Sequence, residues 1–286
     1  METRQQKQIS LAQNFLRSPK LVRRLVGMSS IGPTDTVYEI GPGSGIITAA
    51  LASVARQVIA IEKDPELVRR LRERFRLLAN VKIVEKDFLT YSFRARPGTG
   101  APYPASGRQS HEKIFANIPY NSTAQILRKI LDERLSLAEG YLILQKEAAK
   151  KFSGVPRETL FSILAKPLFE FEILTQLKRT DFWPEPNVDS VLLSIKRRTQ
   201  PLIEREEVAP YRDFVQYGFG RWKPNLRLAF KQVFTYKQWK RLARDLDFPL
   251  NATPTELSFE QWLGLYHGFT HRPRHDGSQR SHPTLH

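Results

Sequence analysis

Through the first two-thirds of the chain, short apolar runs alternate with amphipathic stretches, the pattern of strands and helices laid into a largely parallel sheet. The runs predict strands at 36–40, 57–61, 81–85, 113–116 and 140–145. Helix starts between them are well marked. Asp64-Pro65-Glu66 offers a capping side chain, a proline for the first turn and an acid near the positive helix end, and Ser18-Pro19 opens a helix ahead of the first strand. Two further runs, 169–176 and 191–196, flank the proline-rich "DFWPEPNVDS" and predict an antiparallel pair that closes the sheet. Beyond them the alternation gives way to helical periodicity at 208–218, 225–233, 236–246 and 255–266, with Thr253-Pro254-Thr255-Glu256 as the opening of the last helix. Three parts are therefore expected: an α/β domain over 1–200, a small all-helical domain over 201–270, and a polar tail over 271–286, "HRPRHDGSQRSHPTLH", without order.

Composition narrows the class of partner. Lys plus Arg total 45 against 29 acidic residues, a net charge of +16, which favours a polyanion such as nucleic acid. No apolar stretch approaches the roughly 20 residues a membrane span needs. The absence of cysteine excludes disulfides, a thiol nucleophile and cysteine-ligated zinc, and no metal site is expected. The opening METRQQKQIS lacks the apolar core of a secretory signal, so a cytoplasmic protein is expected. A stretch rich in Gly, Pro, Ser and Arg at 92–112 interrupts the sheet pattern; it is either a solvated loop or an added polyanion contact through Arg94, Arg96 and Arg108.

The chemistry begins at "VYEIGPGSGIIT". Gly41, Gly43 and Gly45 follow a strand end, where glycines permit positive φ and close approach of backbone to a ligand. A plain strand-to-helix turn also has this composition. The dinucleotide fingerprint wants its third glycine at position 46, where this chain has isoleucine, so a different nucleoside is indicated. In "IEKD" the next strand end carries Glu62, suited to ribose hydroxyls, and in "KDF" the third carries Asp87, suited to an adenine amino group, with Phe88 as an apolar edge. Each acid alone could be a surface residue. Together, on three consecutive strand ends at the ligand-binding edge of a parallel sheet, they describe a pocket for S-adenosylmethionine.

The fourth strand runs into "FANIPYNSTAQIL". An adenine amino nitrogen is a poor nucleophile because its lone pair is delocalised into the ring. The side-chain oxygen of Asn117 and the main-chain oxygen of Ile118 can each accept one amino hydrogen and so disfavour the planar form. Pro119 stiffens that peptide, and Tyr120 offers a flat face for the base. The same stretch also serves as a helix cap.

"QNFL" (residues 13–16), "EIGPGSG", "IEKD", "KDF", "NIPY" and "DFWPEPNVDS" occur in an order and spacing that resembles the rRNA adenine N6-methyltransferases, which include the Erm resistance enzymes and the small-subunit rRNA adenine dimethyltransferases. The resemblance covers about residues 8–200, and "ATPTELSFEQWLGLY" is similar to the Erm branch. It implies an α/β fold, a Rossmann-like S-adenosylmethionine-dependent methyltransferase sheet followed by a helical RNA-binding domain. It further implies that Gln13, Asn14, Leu16, Glu39, Gly41, Gly43, Gly45, Glu62, Lys63, Asp87, Phe88 and Asn117 bind S-adenosylmethionine, and that Asn117, Ile118, Pro119, Tyr120 and Phe182 act on the target base, the last as a ring stacked opposite Tyr120. The implied partner is 23S rRNA, protein-free or pre-ribosomal, met by a monomer. Phosphate contacts are expected from Arg17, Lys20, Arg23, Arg24, Arg221, Lys223, Arg227 and Lys231. Small-subunit rRNA as substrate, and a catalytically silent nucleic-acid-binding protein on the same fold, are the alternatives.

Overall fold

The computed structural model describes residues 14–93, 111–132, 137–220 and 223–271. Gln13, Arg221, the tail from 272 onward and most of the 92–112 stretch, with Arg94, Arg96 and Arg108, lie outside them. In chain order the first elements are β1 (Phe15–Leu16), α1 (Pro19–Gly27), β2 (Thr36–Ile40), α2 (Ile46–Ala52), β3 (Gln57–Glu62), α3 (Pro65–Arg74), β4 (Val81–Glu85), β5 (Glu112–Asn117), α4 (Thr123–Ile130) and β6 (Glu139–Gln145). They are followed by α5 (Lys146–Ser153), α6 (Leu160–Ala165), β7 (Phe169–Leu177), β8 (Phe182–Trp183), β9 (Ser190–Arg197), α7 (Val208–Gly220), α8 (Leu226–Ala229), α9 (Tyr236–Asp245) and α10 (Phe259–Thr270).

Seven strands form one sheet in the order β4-β3-β2-β5-β6-β9-β7, parallel from β4 to β6 and antiparallel from β6 through β9 to β7. The strand order reverses between β2 and β5, which opens a crevice at their carboxyl ends, where open α/β sheets bind ligands. Each expected strand is present within one or two residues. The marked helix starts form as their side chains dictate: Ser18 Oγ accepts from Leu21 N at 3.2 Å, and Asp64 Oδ1 accepts from Glu66 N at 2.8 Å. The central strands are buried on both faces, so they read as continuous apolar runs.

The chain divides into two compact units. One comprises the described residues of Met1–Ala149 and Phe169–Arg197, the sheet and its helices; the other comprises those of Lys150–Leu168 and Arg198–His286. The second is held by aromatic packing, with Phe214 against Phe230 (centroids 4.8 Å apart) and Phe269 (5.1 Å), and with Trp239 and Trp262 fully buried. Its last helix begins later than the sequence suggested. Glu256 accepts from the Thr253 N–H at 2.7 Å and closes a separate turn, and Ser258 caps α10 through a reciprocal pair with Gln261. Two well-formed caps three to five residues apart compete, and the one adjoining the apolar run of Phe259, Trp262 and Tyr266 starts the helix.

Candidate functional site

The three glycines after β2 all have positive φ: 63° at Gly41, 56° at Gly43 and 81° at Gly45. L side chains rarely adopt such values, so the turn requires glycine. A Cβ at Gly41 would meet nothing within 4 Å, and the backbone there faces open space. At Gly43 a Cβ would stand 2.5 Å from Cε1 of Phe15, so the N-terminal strand lies directly on the turn.

Glu62, at the end of β3, ties this turn to the next strand end. Its Oε1 accepts from the N–H groups of Lys63 (2.8 Å) and Asp64 (3.0 Å), and Oε2 accepts from Gly43 N at 3.4 Å. That single long bond leaves Oε2 with acceptor capacity. Lys63 contributes through its backbone and its side chain is exposed. Asp87 Oδ1 accepts from Leu89 N at 2.7 Å and shapes the turn after β4, while Phe88 is buried beside it. Lys129 of α4 donates to the carbonyls of Phe88, Leu89 (2.9 Å) and Tyr91, joining that turn to the helix that follows "NIPY".

Glu39 is buried near the carboxyl end of β2, and among the described residues neither carboxyl oxygen has a hydrogen-bond partner. Burial pushes its pKa up to about 8; the Thr48 polar groups oppose the rise and the charge of Glu62 adds to it. A carboxyl without a hydrogen-bond partner among the described residues, a glycine turn with open space above Gly41, and a carboxylate with a spare acceptor at the next strand end form a set of acceptors that suits a cationic nucleoside. S-adenosylmethionine, with a sulfonium, an amino acid end and a ribose, fits these residues.

At the end of β5, Asn117 Nδ2 donates to the Asn14 carbonyl at 2.6 Å. A carbonyl can only accept, so this bond orients the amide and leaves Oδ1 as the available acceptor. Ile118 is buried, and its N–H donates to Ile143 O of β6 at 2.9 Å, fixing the backbone of the motif to the sheet. Pro119 carries the chain into the short helical turn Tyr120–Ser122, and the Tyr120 hydroxyl lies 3.1 Å from Ser190 Oγ at the start of β9, which orients the ring. Asn14, Gly43, Asn117 and Tyr120 are thus brought around the carboxyl edge of β2 and β5.

Two expected site residues point elsewhere. Leu16 and Phe182 are 5% and 1% exposed and belong to the core cluster with Leu25, Leu177 and Leu192. They oppose each other in the two-stranded β1–β8 ladder, where Leu16 pairs with Phe182 and Phe15 with Trp183. Phe15 and Ser190 are the site neighbours that sequence reasoning passed over, although both stood within quoted motifs, "QNFL" and "NVDS".

A sequence profile of the family described as "Ribosomal RNA adenine dimethylase" matches residues 4–270. The chain is 32% identical over 259 residues to the "Ribosomal RNA small subunit methyltransferase A" of Chlorobium phaeobacteroides (strain BS1), across 90% of this chain and 91% of that protein. It is 31% identical over 262 residues to the "Mycinamicin-resistance protein MyrB" of Micromonospora griseorubida, across 90% of this chain and 77% of that protein. Among solved structures it is similar to that of the 23S rRNA methyltransferase ErmE, with a TM-score of 0.79 and 28% identity, covering 90% of this chain and 99% of that one. No helix among the described residues is long and apolar enough to cross a membrane.

Proposed function

The chain belongs to the ribosomal RNA adenine dimethylase family, and we propose that within it the protein is an Erm-type enzyme that methylates N6 of one adenine in the peptidyl transferase region of 23S rRNA. It is an S-adenosylmethionine-dependent rRNA (adenine-N6)-methyltransferase. The 23S reading is supported by the similarity to ErmE, which extends over 99% of that chain and therefore through the helical unit as well as the sheet. The relative named as a mycinamicin-resistance protein supports resistance to macrolide, lincosamide and streptogramin drugs as the phenotype. The small-subunit reading has its own support in the Chlorobium relative, which matches nearly end to end.

The observation that carries the chemistry is the Asn117 amide, whose nitrogen donates to Asn14 and whose oxygen is left to accept. When bound, S-adenosylmethionine supplies an electrophilic methyl on a sulfonium. Glu62 would hold the ribose hydroxyls, Asp87 the adenine amino group and the open turn at Gly41 the methionine end, with Glu39 beside it. On the acceptor side, Asn117 Oδ1 and the Ile118 carbonyl each take one hydrogen of the target amino group. That would withdraw the lone pair from ring conjugation and leave it available as the nucleophile. Tyr120, its hydroxyl held by Ser190, presents the face on which a flipped adenine rests. No side-chain base is required, because the alkylated amine is acidic enough to lose its proton to water.

The test is labelled methyl transfer to protein-free 23S rRNA and, in parallel, to small ribosomal subunits, with products mapped by reverse-transcriptase stops. The expected result is a stop at a single adenine of the 23S peptidyl transferase loop. Label confined to the small subunit overturns the 23S assignment and makes this a ribosome-maturation enzyme.

A further inference from the structure

We propose that Trp183 is an RNA-stacking platform on the rim of the catalytic pocket, taking a base next to the flipped adenine; the proposal rests on the rRNA methyltransferase reading above. The side chains of a strand alternate between faces, and β8 has only two residues. Phe182 turns into the core and Trp183 turns out, 46% exposed. The other described tryptophans behave differently. Trp239 and Trp262 are buried in the helical unit and donate their indole N–H groups to the carbonyls of Leu250 (2.9 Å) and Pro254 (3.0 Å). Trp183 has no such bond among the described residues, and core packing does not require its ring, since the residue beside it supplies the buried aromatic.

Its position ties it to the pocket. Trp183 pairs in register with Phe15, whose ring lies on the Gly43 turn, and Asn14, the residue before Phe15, accepts the hydrogen bond of the Asn117 amide. The exposed indole therefore stands one strand away from both the cofactor turn and the acceptor motif. The chain beside it carries both signs, with Asp181 and Glu185 on either side and Arg179 paired to Glu185 at 3.6 Å. Lys178 and Arg179 precede it, and the N–H of Arg17 donates to the Asp181 carbonyl at 3.1 Å, which brings the exposed start of α1, with Lys20, Arg23 and Arg24, to the same rim. The exposed cations of α1 beside a flat ring that has no hydrogen-bond partner among the described residues match RNA, which offers phosphates and bases together. Flipping an adenine also leaves its neighbour without a stacking partner, and an outward ring beside the pocket restores one.

The experiment uses the full chain and whichever rRNA fragment the wild type methylates. Trp183→Ala is expected to raise KM for RNA about tenfold, with KM for S-adenosylmethionine and kcat at saturating RNA near wild type. Trp183→Phe keeps a ring and is expected to restore the RNA KM. It is also expected to abolish most of the intrinsic-fluorescence quenching that RNA causes in the wild type, although three tryptophans remain. An unchanged RNA KM in Trp183→Ala, or quenching undiminished in Trp183→Phe, overturns the proposal while leaving the methyltransferase reading intact. A rise in the S-adenosylmethionine KM equal to that for RNA also overturns it, by assigning Trp183 to support of the β1–β8 ladder. A wild type that labels no rRNA overturns both readings.

Discussion

The two edges of the one sheet are built on opposite principles. At the amino edge, Asp35, Lys113, Ser30, Tyr141 and Glu139 form a closed polar network. Lys113 Nζ lies 3.0 Å from the Asp35 carboxylate and donates to Ser30 O (2.7 Å) and Oγ (2.6 Å), while the Tyr141 hydroxyl accepts from Ser30 N at 2.9 Å and donates to Glu139. Burial raises the Asp35 pKa, but the Gly32 N–H and Lys113 outweigh it and hold the carboxyl below its ordinary range. At the carboxyl edge, Glu39 is as deeply buried and has no hydrogen-bond partner among the described residues, and three consecutive alternate residues hold positive φ. A satisfied network stabilises the fold. Groups left unsatisfied at the other edge remain available to a ligand.

That contrast can be broken by experiment, from the largest effect to the smallest. Asn117→Ala should lower methyl transfer by about a thousandfold or more, the loss of an interaction made at the reacting centre, while the urea midpoint stays near wild type. A variant that keeps wild-type turnover removes Asn117 from the chemistry. Lys113→Met, at the other edge, should cost about 3 to 5 kcal/mol of stability by stranding Asp35, with kcat per folded molecule unchanged. If it lowers kcat instead, the two edges are coupled and the division of labour fails.

Phe182→Ala sharpens the boundary, because this residue sits at the rim and belongs to the core. It should cost about 3 kcal/mol or more in denaturant unfolding as well as weakening RNA methylation; loss of activity at full stability would show a ring already open to the base. The last effect is a slope. Glu39 has a folded-state pKa raised from 4.5 to about 8, so the unfolded chain gives up this proton first. Its contribution is full below pH 4.5 and is lost as pH rises toward about 8. Ligand-free protein should therefore unfold more easily across that window, and Glu39→Gln should flatten the trend. Identical slopes would mean that the Glu39 carboxyl is solvated in solution.

Most of the scaffold was legible from the chain alone because it depends on local rules. Period-two and continuous apolar runs located seven strands, Ser18 and Asp64 announced their helices through their own side chains, and Gly41, Gly43 and Gly45 marked a turn that no L side chain adopts readily. The carboxylates at 62 and 87 and the "NIPY" motif could be read as chemistry because strand ends on one edge of a parallel sheet are neighbours by construction.

Only the tertiary structure decided what depends on distant partners. A two-residue strand has no periodicity to detect, so nothing local distinguished the buried Phe182 from the exposed Trp183; pairing with β1 made that choice. The competing caps at Thr253 and Ser258 were resolved by which one adjoined the aromatic core. Likewise, the orientation of the Asn117 amide depends on a carbonyl 103 residues away, and the isolation of Glu39 on the elements packed around it. Sequence determines a residue's chemistry and its local geometry. Which of its groups remain free to act is fixed by packing, since a hydrogen bond or a neighbouring side chain from elsewhere in the chain can occupy any one of them.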